Sequence, residues 1–370
     1  MDSQNKYAKP VFLLLAVILF FYGIIQAKTF LYPLAFGLLI AYLLFPFVNF
    51  LEKNRVPRIL SILAGILSAV VVVGGLFIFF YYQLTHMLED FGNLKERANV
   101  NIESLQENLE SWLGLSNNWI EVFLKDQINF FFSSKNGGFS QVFTATTGTI
   151  VKIALLPVYI FLFLYYRTKF AIFILKIINH KHRRVAIKIL RDISTVASRY
   201  ILGVTTVVLI LCVINSFGLF IVGVKYAILL GIVSALFNFI PYFGTLMGGA
   251  VPFLFVLITG ENPLDQALKV ALLFIIIQFI ENNILTPNIV GYNVKISPFF
   301  IIIGLVLGAM VWGIPGMLLI VPSLAILRVV FSNIEKLQPY AFLLGPGGTH
   351  KHSITRGKIL AFFNMKSKSD

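Results

Sequence analysis

One cysteine in 370 residues, three tryptophans and a charged fraction of only 12% set the first limits on this chain. The lone Cys212 permits no internal disulfide and no thiolate metal centre. Soluble domains carry about 25% charged residues, so this charge content, beside 58% hydrophobic residues, excludes an ordinary water-soluble domain. The motifs of chemistry are missing as well. There is no His-Glu-x-x-His, no Gly-x-Ser-Gly and no pair of aspartates inside an apolar run. The stretch from Gly345 to Ser353 is glycine-rich and basic, but it lacks the Gly-Lys-Ser/Thr ending of a phosphate loop and follows no soluble strand. His180 with His182, and His350 with His352, are pairs too small for a metal site. The expectation is a non-enzyme with no catalytic residues, no cofactor and no metal.

What the chain has in abundance is apolar length. Runs at 10–27, 30–51, 59–82, 145–166, 200–223 and 267–286 each suit one crossing of about 30 Å of hydrocarbon. The first follows Lys6 and Lys9 but has no Ala-x-Ala pattern and is succeeded at once by another span, so it is expected to be a retained helix. Two further stretches, Tyr226–Thr259 and Pro298–Phe331, are too long for one straight crossing and barely long enough for two. Each is interrupted near its middle, at Pro241-Tyr242-Phe243-Gly244 and at Gly313-Ile314-Pro315-Gly316. Half-helices meeting at a Pro/Gly tip leave backbone groups unpaired. Lipid tolerates that only where protein or a watery cavity surrounds the tip. Paired interruptions of this kind point to a transporter's substrate site.

Charge gives the orientation. Nine basic residues against Asp192 alone lie between Arg167 and Arg199, and three more (Lys53, Arg55, Arg58) occupy the 52–58 loop. The 84–144 segment instead holds eight of the sixteen acids and four basic residues. Lys/Arg-rich loops stay inside, so the basic pieces, the N-terminus and the basic tail are expected in the cytoplasm and the acidic insert outside. The net charge of +14 is therefore an orientation signal, with an attraction to anionic lipid, and implies no nucleic acid.

Counting crossings on that basis gives an all-α polytopic membrane protein of about six full spans plus two re-entrant hairpins, forming an inverted repeat of span-plus-hairpin. Pro241 and Gly313 fall at the same offset in their stretches, as do Gly244 and Gly316. Five separate short crossings would give the same parity. The expected organisation is N-terminal transmembrane helices over 1–83 and an extracytoplasmic helical insert over 84–144. A span with a basic amphipathic segment over 145–199 follows, then a transport core over 200–334 and a basic tail over 335–370. In the insert, Phe91, Leu94, Ala98, Ile102, Leu105, Leu109 and Trp112 follow near-heptad spacing, and Ile120, Phe123, Leu124, Ile128 and Phe131 make a second stripe. Packing on the chain's own membrane domain and a homo-oligomer contact both suit such a face.

Glu281 is the one acid inside a span, and an ionisable group in hydrocarbon marks a functional site by default. Helical spacing places Gln278, Glu281 and Asn282 on one face, with Asn283 beside them and Pro287 expected to break the helix. A structural hydrogen-bond clamp is the competing role for Glu281. Asn238, Tyr242 and Thr245 flank the first tip. With the tip residues Pro241, Gly244, Gly313, Pro315 and Gly316 they complete the candidate substrate site, because half-helix ends offer N–H groups to anions and carbonyls to cations.

The run Asn238-Phe-Ile-Pro-Tyr-Phe-Gly-Thr-Leu-Met-Gly-Gly-Ala-Val-Pro252 strongly resembles the signature of the autoinducer-2 exporter (PerM-like permease) family. Gln278-Phe-Ile-Glu-Asn-Asn-Ile-Leu-Thr-Pro-Asn-Ile-Val-Gly291, Val294–Pro298 and Gly313–Pro322 resemble its further blocks. The resemblance implies a multi-spanning, oligomeric permease of the bacterial inner membrane with about eight transmembrane segments. Export of a small polar solute such as the quorum-sensing signal autoinducer-2 is the name-giving activity, and sodium/proton antiport is attributed to some relatives. The readings that follow are a solute exporter working by alternating access, a monovalent cation/proton antiporter, and a non-transporting membrane scaffold. The corresponding partners are a small polar solute, a proton or sodium ion, the lipid bilayer and further copies of the chain.

Overall fold

The computed structural model describes residues 4–113, 155–290 and 296–346. Among them all regular structure is helical. Four helices come first: α1 (Gln4–Gln26), α2 (Lys28–Lys53), α3 (Arg58–Glu89) and α4 (Phe91–Leu113). After the insert come α5 (Leu156–Ile177), α6 (Arg183–Ile221), α7 (Ala227–Phe237), α8 (Phe243–Thr259) and α9 (Pro263–Ile280). A π-helical turn, Glu281–Leu285, joins α9 to α10 (Thr286–Ile289). The last described helices are α11 (Pro298–Trp312), α12 (Ile314–Asn333) and α13 (Gln338–Leu344).

Among the described residues, six helical stretches are long and apolar enough to cross a bilayer: Lys28–Lys53, Arg58–Met87, Leu156–Ile177, His180–Ile221, Pro263–Ile289 and Ile314–Asn333. Their outward faces carry large apolar side chains such as Val71, Val213, Phe220, Leu268 and Ile275. Such a surface suits lipid rather than water. The protein is an all-α, multi-pass membrane protein.

Several core clusters hold the helices together, and α6 takes part in those on both sides. Ala41, Leu44 and Val48 of α2 meet Ile62 of α3 and Ile160 and Leu164 of α5. Leu219 of α6 meets Ala227, Leu230, Val256 and Val270 from α7, α8 and α9. Tyr200 and Ile201 of α6, with Val321 of α12, close against Leu39, Tyr42 and Leu43 of α2. At 39 residues α6 is about 58 Å long, well beyond a bilayer's need.

The two interrupted stretches fold back on themselves as antiparallel helix pairs. The halves are unequal, although each stretch is interrupted near its middle in sequence: 11 and 17 residues in the first, 15 and 20 in the second. The first tip spans residues 238–242, with Tyr242 at φ 64°. The second is Gly313 alone, at φ 65°. Pro315 and Gly316 are not part of that tip. They open α12, where proline's missing N–H costs nothing. Gly244 and Gly316, at equivalent offsets, do equivalent work. A Cβ on Gly244 would overlap the Phe237 carbonyl, and one on Gly316 would overlap the Gly308 carbonyl.

Two further expectations change. Residues 170–199 form no separate amphipathic helix: they extend α5 to Ile177, turn at 178–182 and begin α6. The 145–166 span appears as Leu156–Ile177, and residues 145–154 lie outside the described part. In α4, Leu94, Ala98 and Ile102 are buried on the chain's own helices, beside Leu229, Phe255 and Ile258. Ile120–Phe131 and the basic tail from residue 347 lie outside the described residues.

Candidate functional site

The first hairpin tip and the end of α9 meet at Glu281. Helix α7 stops at Phe237, and Asn238 takes the C-cap position, where its backbone N–H still donates to Ala235. Its side chain is thereby free to leave the helix. Asn238 Nδ2 donates to Glu281 Oε1 at 2.6 Å, across 43 residues of sequence. From the other side Gln278 Nε2 donates to Glu281 Oε2 at 3.1 Å and to Asn282 Oδ1 at 3.0 Å. Glu281 is 8% exposed. A buried carboxylate needs pairing or neutralisation; here both hydrogen-bond donors are neutral amides.

The backbone at this point is not an ordinary helix. The Thr286 N–H donates to the Glu281 carbonyl, a five-residue step that widens the turn. Pro287 supplies the cause, since it has no N–H for the Asn283 carbonyl and its ring crowds that carbonyl. One wide turn absorbs the misfit, and α10 continues to Ile289. Pro287 therefore does not break the helix as expected; it displaces the irregularity to Glu281–Leu285. The α10 end is then pinned where it crosses α6. A Cβ on Gly203 would meet the Val290 Cα at 2.9 Å.

Among the candidate residues, Asn238, Gln278, Glu281 and Asn282 form one hydrogen-bonded group. Others stand apart. Thr245 Oγ1 donates to the Tyr242 carbonyl at 2.8 Å, holding the tip's own shape. Asn283 Nδ2 donates back to the Phe279 carbonyl on its own helix. Tyr242 is 48% exposed. Pro241 lies within the tip, its carbonyl accepting the Phe243 N–H at 2.7 Å. The second tip lies elsewhere: Trp312 Nε1 donates to the Ile24 carbonyl of α1 at 3.1 Å. Gly313, Pro315 and Gly316 are thus placed by apolar packing and that single anchor.

Two features that sequence reasoning missed tie down the opposite, open end of the first hairpin. Asn101 of α4 donates both amide hydrogens, to the Ile258 and Gly260 carbonyls at 2.8 and 2.9 Å. These belong to the set of carbonyls that a helix end leaves unpaired. Asp90 accepts from Tyr226 Oη and pairs with Lys225 Nζ at 2.6 Å. The signal for Asn101 was present as a lone amide beside the apolar stripe at Ile102. For Asp90 nothing local announces a partner 135 residues away.

The AI-2E family transporter model matches residues 14–336. The chain is 30% identical to the provisionally named transport protein YrrI of Bacillus subtilis (strain 168), over 84% of this chain and 88% of that one. It is 27% identical to a second such protein of that strain, YueF, over 85% and 86%. With the AI-2 transport protein TqsA of Escherichia coli (strain K12) it shares 23% identity over 91% and 95%. A match over nearly the whole chain, on a fold of paired broken hairpins, makes this membrane protein a member of the AI-2E transporter family.

Proposed function

We infer that the protein exports a small polar solute of the autoinducer-2 class across the bacterial inner membrane, with both termini in the cytoplasm, by alternating access. The observation that carries this reading is the Asn238–Glu281 hydrogen bond, which links a hairpin tip to a π-helical turn in a neighbouring span. Irregular backbone and a buried acid cost stability within a bilayer, and both are concentrated here. The amides of Asn238, Gln278 and Asn282, gathered around Glu281, suit a polyhydroxylated ligand. The first hairpin moves against the α2–α3–α5 group, exchanging the Asn238–Glu281 bond for bonds to solute. The name of TqsA supports the substrate class.

A second reading, monovalent cation/proton antiport, is favoured by one detail. Glu281 is held by neutral amides alone, so its charge is available to a proton or an alkali cation. Proteoliposomes loaded with autoinducer-2 separate the two. Solute efflux that depends on Asn238 and Glu281, with no sodium-driven pH change, supports export. A sodium-driven pH change lost in Glu281→Gln, without solute efflux, replaces export by antiport. Absence of both, with function lost on deleting residues 91–132, leaves a scaffold.

A further inference from the structure

The end of α2 carries Lys53, the turn after it Arg55 and the start of α3 Arg58, and the facing part of α5 carries Arg167 and Lys169. Glu52 is the one acid among them, so five cations against one carboxylate leave a net +4. Arg167 takes Glu52 as its ion-pair partner and lies over the Phe45 ring. Arg58 crosses from α3 to α5, donating from Nη2 to the Leu164 carbonyl at 2.7 Å and from Nη1 to Thr168 Oγ1 at 3.2 Å. Its Nε remains buried with no acceptor. Lys169 Nζ rests over the Tyr166 ring at 5.5 Å. Among the described residues no carboxylate stands within ion-pair reach of Lys169.

Between these groups lies a cavity of about 500 Å³, walled by Pro57, Arg58, Ile59, Tyr165, Thr168 and Lys169. Its place in the fold is specific. A turn between consecutive apolar helices lies at the bilayer boundary, and tyrosines such as Tyr165 and Tyr166 favour that level. Immediately beyond it, the apolar surface of Ile59, Leu60, Leu63 and Leu162 is exposed. A cationic cavity directly above an apolar wall has the two-part chemistry of a phospholipid: an anionic phosphate joined to hydrocarbon.

We propose that this cavity is a binding site for the phosphodiester of an anionic phospholipid. Lys169 and Arg58 hold the phosphate, and the acyl chains lie along Ile59 and Leu63. The occupied site braces α3 against α5 at the edge of the α2–α3–α5 group. It does not depend on what the protein transports.

The test uses the purified full chain in neutral detergent, titrated with dioctanoyl phosphatidylglycerol, dioctanoyl phosphatidylcholine or glycerol 3-phosphate. Bound molecules are counted by native mass spectrometry. Lys169→Glu is the informative variant because Arg58 also ties two helices together. Phosphatidylglycerol is expected to bind on the order of tenfold more tightly than phosphatidylcholine. Lys169→Glu removes that preference, and Lys181→Glu, a charge reversal at the 178–182 turn, leaves it intact. Equal binding of the two lipids, or equal loss in both variants, overturns the site. Glycerol 3-phosphate binding as tightly as phosphatidylglycerol overturns the lipid as its occupant.

Discussion

The two hairpins share a plan and differ in what holds them. In the first, a five-residue tip projects Asn238 onto Glu281, and the open end is secured by Asn101, Asp90 and Lys225. In the second, a single glycine turns the chain, and the helices close by backbone contact at Gly308 and Gly316. Beside its tip Trp312 bonds to Ile24, its start is held by the Ser297 N–H on the Leu344 carbonyl, and Val321 packs on Tyr200 and Ile201 of α6. Polar bonds can be exchanged for bonds to solute or water, whereas close backbone packing cannot be partly undone without opening a void. Close backbone packing is common to both hairpins, at Gly244 and at Gly316; under the proposed function the exchangeable bonds are those at the first tip.

The largest expected effect breaks what the hairpins have in common. Gly316→Val and Gly244→Val push a side chain into opposing backbone, a cost on the order of 3 kcal/mol or more. Neither should give a monodisperse peak in detergent size-exclusion chromatography. Gly75→Ala, where a Cβ meets nothing within 4 Å, should behave as wild type. Wild-type behaviour of Gly316→Val would remove the backbone-packing account.

Asn238→Ala then sharpens the contrast, since Glu281 Oε1 loses its donor while the fold keeps its outline. A buried acceptor left unpaired costs about 1–3 kcal/mol, readable as a lower thermal midpoint in detergent, together with loss of transport. On the second hairpin, Trp312→Phe removes one hydrogen bond worth about 1 kcal/mol, and transport should persist. Asn101→Ala should release the Ile258 and Gly260 carbonyls and speed hydrogen exchange at the end of α8, with a midpoint shift of similar size.

The smallest effect is set by pH. The hydrogen bond from Lys225, then that from Tyr226, holds the Asp90 carboxyl below its ordinary range. The stabilising contribution is complete above the unfolded-state value, about 4, and is lost as pH falls through the lower folded-state value. Hydrogen exchange around Tyr226 should therefore quicken only at acidic pH. Asp90→Asn should show the faster exchange at neutral pH as well.

Part of this was legible in the sequence because it is local. Apolar length gave five of the six span-length helices among the described residues; the expected 10–27 span is not among them, and Ile314–Asn333, expected as half of a hairpin, is the sixth. Proline with glycine located both breaks. The three- and four-residue spacing of Gln278, Glu281 and Asn282 gave the face on which Gln278 bonds to both neighbours. The rest depends on contacts between distant segments. No periodicity connects Asn238 to Glu281, or Asn101 to Ile258. Pro287 signalled an irregularity but not its form, because a wide turn upstream satisfies the same steric demand as a break. Nor did the basic 167–199 segment show that its charges sit on extensions of α5 and α6.

Under the proposed function, Glu281, which accepts from Asn238 of the first hairpin, performs the exchange on which transport depends. Transport by proteoliposomes of Glu281→Gln and Trp312→Phe, each matched to wild type in reconstituted amount and thermal midpoint, tests it most directly. The expected result is a loss on the order of tenfold or more in Glu281→Gln and near-native flux in Trp312→Phe. Native flux in Glu281→Gln, or equal loss in both, would contradict the account.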